Sequence, residues 1–146
     1  MRQPFFTTIA FAIFLLSCNQ ENDHLIVQDP QEPTPAGAFD YTAFDSAGAL
    51  IVQGWLMVNT HDSSNISGNW HVSKVDDPGN LHPHTINGEL DGSFLDSLLQ
   101  LNLNPDWSDN NVYLTGQYAD SIFSGTWVWS TAAGISPQGT FQAIKQ

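Results

Sequence analysis

Glycines recur in this chain two residues away from large apolar side chains, inside segments that alternate apolar and polar residues. That spacing narrows the fold more than any other feature. Gly125 precedes Trp127, and Gly139 precedes Phe141. Residues i and i+2 of a strand share a face, so each pair sets a residue without a side chain beside a large ring on one side of a sheet. Glycine lets a strand coil tightly, and a neighbouring aromatic covers the backbone it exposes. Such pairs belong to barrels and strongly curved sheets.

From Phe39 onward the chain is long enough for one domain with one core, and turn residues recur at the short spacing of all-β folds. The pattern predicts eight strands, near 39–45, 49–59, 64–74, 84–90, 94–104, 111–118, 121–130 and 138–145. Short connections separate them, among them Ser46-Ala47-Gly48, His61-Asp62-Ser63, Asp91-Gly92-Ser93 and Ala119-Asp120. The leucine-rich run 90–103 is strand and not helix, because Leu99, Leu101 and Leu103 alternate with Gln100 and Asn102.

Alternation also assigns the faces. Ile66, Gly68, Trp70 and Val72 share a side opposite Ser67, Asn69, His71 and Ser73, so the glycine side is the inner one. Leu50, Val52, Gly54, Leu56 and Val58 form a second inner set, and Phe123, Gly125, Trp127 and Trp129 a third. Gly88, Gly116 and Gly139 take the same place in their strands. Inner glycines near the middle of so many strands predict an all-β, antiparallel up-and-down meander that closes into a barrel of roughly eight strands. The interior of such a barrel is either filled by side chains or just wide enough for one small ligand.

Two short motifs extend this expectation. Gly68-Asn69-Trp70 resembles the glycine-any-tryptophan signature of lipocalins, and Ser124-Gly125-Thr126-Trp127 resembles the opening strand of avidins. The resemblance implies a lipocalin-like barrel. It carries over no binding residues, because the chain has no counterpart of the lipocalin threonine-aspartate-tyrosine loop or its closing arginine.

The first residues predict an address. Arg2 and Gln3 precede a mostly apolar run, Pro4–Leu16, that ends in Leu15-Leu16-Ser17-Cys18. The apolar core is too short to span a bilayer as a helix, which takes about 20 residues, and it fits a secretion signal. The run resembles the lipobox of bacterial lipoproteins, which implies removal of residues 1–17, lipidation of Cys18 and residence in the cell envelope, at the outer membrane. Residues 18–38, with Pro30, Pro33 and Pro35 among polar residues, then form the lipidated cysteine and a tether, leaving 39–146 as the barrel domain. Cys18 is the only cysteine, so the exported domain has no internal disulfide and depends on its core.

The net charge is −12, and loss of the leader would remove Arg2, leaving Lys74 and Lys145 against 15 acidic residues. A field of that sign repels nucleic acid and bare anionic membrane, so neither is an expected partner.

The predicted inner faces hold almost no ionisable group, whereas acid–base and nucleophilic catalysis need positioned titrating side chains. No catalytic residue, cofactor or metal site is therefore expected, and the chain is not expected to be an enzyme. The inner aromatic set Trp70, Tyr118, Phe123, Trp127, Trp129 and Phe141 either lines a pocket for a small apolar ligand or packs as core. On the outer face of strand 49–59, Ile51, Trp55 and Met57 form an apolar row suited to a protein partner or to coverage by the N-terminal segment. His82-Pro83-His84, with Asp76, Asp77 and His71, supplies metal-ligand residue types, but the proline interrupts strand geometry. Asp106, Ser108 and Asn110 have the oxygen spacing that opens a calcium loop, yet Gln117 stands where the bidentate glutamate belongs. Two functions remain open: a lipid-anchored module that holds a small apolar ligand, and an interaction or inhibitor module with a solid barrel.

Overall fold

The computed structural model describes residues 34–62, 65–75, 87–107, 109–132 and 137–146. All regular structure among them is strand: β1 (Gly37–Asp45), β2 (Leu50–Asp62), β3 (Asn65–Lys74), β4 (Asn87–Leu95), β5 (Leu98–Leu103), β6 (Asn110–Ala119), β7 (Ile122–Thr131) and β8 (Gln138–Lys145). Each strand pairs antiparallel with the next, and β1 pairs with β8, so the sheet closes on itself in sequence order. Closure leaves no unpaired edge.

The inner glycines are where the wall bends. A Cβ placed on Gly54 would lie 1.9 Å from His71 O, one on Gly68 1.9 Å from Met57 O, and one on Gly125 2.1 Å from Thr115 O. The backbone of the next strand occupies the space a side chain would need. Tryptophans cover these kinks from across the sheet. Trp127 is the register partner of Gly139 and Trp70 that of Gly88, and each indole nitrogen lies 3.0 Å or less from where the glycine's Cβ would stand. Trp127 Nε1–H donates to Phe44 O at 2.8 Å and Trp70 Nε1–H to Glu89 O at 3.1 Å, so both rings are fixed by backbone acceptors.

The core is the barrel interior. Phe39, Tyr41 and Ala43 of β1 meet Leu56 and Val58 of β2, Trp70 of β3, Leu99, Leu101 and Leu103 of β5, Leu114 of β6 and Phe123 of β7, all buried. Burying one such side chain stabilises the fold by about 1.5–3 kcal/mol. This core, with the closed ladder, replaces the disulfide the domain lacks.

Two elements differ from the sequence-based expectation. Asp91-Gly92-Ser93 is not a turn: β4 runs straight through it to Leu95, with Gly92 paired to Ile66 and Leu101. The turn is Asp96-Ser97, with φ of 51° and 67°, and Asp120-Ser121 repeats those angles between β6 and β7. Two successive residues of positive φ make the tight hairpin turn whose twist matches the strands. The second difference is Ile51, which is 2% exposed and not on the outer face. The β1–β2 register passes from Ala43↔Val52 to Phe44↔Leu50, leaving Ile51 without a partner on β1. A bulge of this kind breaks the period of two, so Ile51 and Val52 are both buried.

The two ends of the barrel are unlike. One carries the Asp96-Ser97 and Asp120-Ser121 turns together with the start of β1 and the end of β8. The other carries the connection Ser46–Ala49, in which Asp45 Oδ1 accepts from Ala47 N and Ala49 N, and the longer connections after β3, β5 and β7.

Candidate functional site

The six inner aromatics expected to face a ligand are all buried on the inner wall, in two groups. Toward the tight-turn end, Tyr118 stands edge-on between Phe39 and Phe94, with centroids 6.0 Å apart in both pairs. Phe141 contacts Phe123 at 4.6 Å and Tyr41 at 6.0 Å. These rings close that end of the barrel. Trp70 and Trp127 lie nearer mid-height, fixed by their indole bonds, and Trp129 lies toward the loop end.

Trp129 Nε1–H donates to Asn110 Oδ1 at 2.9 Å. Asn110 O also accepts from Asn104 Nδ2, and Asn111 Nδ2 donates to Trp107 O. Of the side-chain oxygens that suggested a calcium loop at 106–110, that of Asn110 is therefore engaged by the barrel wall; Ser108 lies outside the described residues. At mid-height Leu56 and Leu114 are fully buried, whereas Trp129 toward the loop end is 8% exposed and Phe94 at the tight-turn end 7%. His82, His84, Asp76 and Asp77 lie outside the described residues, as does Cys18.

Two phenols, those of Tyr41 and Tyr118, are buried on the inner wall, and toward the loop end the amides of Asn104 and Asn111 are buried as well. Sequence reasoning named Tyr118 and missed Tyr41, although the alternation of Phe39, Tyr41 and Ala43 with Asp40 and Thr42 marked it as inward. Tyr41 forms no hydrogen bond with another described residue, and burial alone pushes its phenol above the ordinary value of 10.0. A neutral hydroxyl in an apolar wall can donate to one acceptor of a ligand and fix its orientation.

Outside the tight-turn end, a cleft of about 390 Å³ is lined by Thr34, Thr60, His61, Asp62, Phe94 and Asp96 among others. His61 Nε2 and Ser67 Oγ are 2.7 Å apart beside it. Phe94 is both part of this cleft and the outermost ring of the Phe94–Tyr118–Phe39 series, so that series separates the cleft from the interior.

The fold has a solved counterpart. It is similar to the structure of EF1p2_mFAP2b bound to DFHBI, with a TM-score of 0.59 and 12% identity over 76% of this chain and 93% of that one. At that identity the likeness establishes the closed barrel. No family model matches the chain, and no curated protein matches it.

On the outer face, Trp55 and Met57 are each 41% exposed, pointing outward as the alternation predicted. Trp55 stacks on His71 of β3, with centroids 6.0 Å apart and planes at 27°. Ile144 lies in the same outer row, joined through Asp40, which pairs with both Trp55 and Ile144. The exposed row is thus Ile144, Trp55 and Met57, and Ile51 is not part of it.

Proposed function

We propose that the protein is an exported, lipid-anchored β-barrel binding module that holds a small, mostly apolar ligand inside the barrel. The observation that carries this reading is the composition of the inner wall. It is apolar over most of its area, with two phenols and, toward the loop end, the buried amides of Asn104 and Asn111; one of the phenols, Tyr41, has no hydrogen-bond partner among the described residues. A binding pocket for a small molecule is typically an apolar enclosure with a few placed polar groups. The counterpart barrel carries the small molecule DFHBI, which supports the same use of this fold. The ligand enters from the loop end, past Trp129, because aromatic rings close the other end. Anchoring through Cys18 rests on the lipobox-like run Leu15–Cys18 and places the barrel outside the cytoplasm, on a tether from the membrane.

The test is uptake of N-phenyl-1-naphthylamine, an uncharged apolar probe, followed by tryptophan emission. Trp127→Phe, on the inner wall, should change the response, and Trp55→Phe, on the outer wall, should leave it as in the wild type. Equal responses in the two variants would place the probe on the surface and reject an interior site. The second reading, an interaction module with a solid barrel, draws on the exposed Ile144–Trp55–Met57 row. It becomes the better account if the folded protein neither takes up the probe nor yields a small molecule on solvent extraction.

A further inference from the structure

Acidic residues dominate this chain, yet one side of the barrel wall is almost free of charge. β5, β6 and β7 contain no Asp, Glu, Lys, Arg or His, and β8 contains only its final residue, Lys145. The outer surface there is built from amides, hydroxyls and a few apolar groups. Where this side meets β4, a groove of about 300 Å³ crosses the outer face of β4, β5 and β6.

Six side chains form the groove as two cross-strand rows. Asp91 pairs with Asn102 and Asn102 with Tyr113, while Ser93 pairs with Gln100 and Gln100 with Thr115. Neighbouring strands are about 4.8 Å apart and like-facing residues about 6.7 Å apart along a strand. The grid is therefore roughly 10 Å by 7 Å. None of the six side chains hydrogen-bonds to another described residue. Asn102 Oδ1 is buried and lacks a donor, although the residue itself is only half-buried. The terminal torsion of an asparagine is soft, so a modest rotation presents either end of the amide to a ligand. Tyr113, 46% exposed, stands at the end of its row with a ring face available.

We propose that this groove is a binding site for an uncharged carbohydrate. A sugar ring offers neighbouring hydroxyls that both donate and accept, with a patch of C–H groups on one face. Asp91 can accept from two adjacent hydroxyls, and the amides of Asn102 and Gln100 each donate and accept at once. The Tyr113 ring covers the apolar face while its hydroxyl remains in water. An anionic ligand is disfavoured by Asp91 and the overall negative charge, and a strongly cationic one finds only one carboxylate on the grid. The footprint matches one or two pyranose rings. The site is on the outer wall and does not depend on the barrel interior, so its failure and that of the interior site are separable.

Calorimetric titration of the full chain in detergent with cellohexaose, maltohexaose, xylohexaose and chitohexaose tests the proposal. At least one should bind with a dissociation constant below about 1 mM. Tyr113→Ala and Asn102→Ala should each weaken that binding by about tenfold or more, a loss comparable to one good contact. Tyr113→Phe should retain most of the affinity, and Trp55→Phe on the opposite wall should retain all of it. If Asn102→Ala proves poorly folded by thermal melting, Thr115→Lys at the exposed rim takes its place with the same expected loss. Absence of binding by all four hexasaccharides at about 5 mM would overturn the proposal, as would unchanged binding in Tyr113→Ala.

Discussion

Replacing Gly125 by valine tests the mechanism of barrel closure, because the cost can be worked from distances. A Cβ at Gly125 would lie 2.1 Å from Thr115 O and 2.5 Å from Gly116 Cα, both backbone atoms of β6. Neither can rotate aside, so β6 and β7 must separate locally and lose ladder hydrogen bonds near Gly116↔Gly125. Overpacking costs about 1–3 kcal/mol and each lost bond about 1 kcal/mol, which for two bonds gives about 3–5 kcal/mol in all. For a domain of this size a loss of that order lowers Tm by about 12–20 °C. Thr126→Val, one residue on, changes an exposed outward position to an isosteric β-branched residue and should move stability by about 0.5 kcal/mol or less. Thermal melts followed by near-ultraviolet circular dichroism separate the two. Equal losses would refute the claim that glycine is required because the neighbouring backbone fills its side-chain space.

Ser97→Gly and Ser121→Gly should each raise stability by about 0.5–1 kcal/mol in urea titrations, since both serines have φ of 67° and glycine removes the penalty of that conformation. Tyr41→Phe should leave stability at pH 7 nearly unchanged, because it removes a hydroxyl with no partner among the described residues. Its effect is at high pH. A phenol whose folded value is raised contributes stability that is fully present below its unfolded value of 10.0 and is lost as pH rises above it, so the wild type should weaken more steeply above pH 10.0 than Tyr41→Phe in stability measurements against pH. Cys18→Ala should move the protein from the membrane fraction to the soluble one; retention on the membrane after leader removal would show that the anchor lies elsewhere.

The barrel was legible in the sequence because its cause is local. A glycine at mid-strand beside an aromatic on the same face is a bend written into adjacent residues, and the structure places backbone where the side chains of Gly54, Gly68, Gly116, Gly125 and Gly139 would have been. The first of the two errors came from a signal with a second meaning. Asp91-Gly92 has the composition of a tight turn, but Gly92 is needed as a bend opposite Gln100 O, and the Asp-Ser pairs at 96–97 and 120–121 supply the turns. The repeated Leu95-Asp96-Ser97-Leu98 and Ala119-Asp120-Ser121-Ile122 pattern could have revealed this. Ile51 failed for another reason: its burial follows from a one-residue register shift against β1, a property of pairing that no alternation within β2 encodes.

For the candidate site, the sequence identified the inner aromatics but not their division into a ring-closed end and a loop end. That division depends on which strands meet across the barrel. The outer groove at Asp91, Asn102 and Tyr113 was illegible for the same reason, since its three side chains come from three strands and meet only through register.

The central claim is that the barrel encloses a small apolar ligand. Calorimetric titration of the full chain with N-phenyl-1-naphthylamine at several temperatures tests it most directly. Enclosure predicts saturable binding at one site per barrel with a clearly negative heat-capacity change, the mark of buried apolar surface. Binding that does not saturate, or a heat-capacity change near zero, would contradict it.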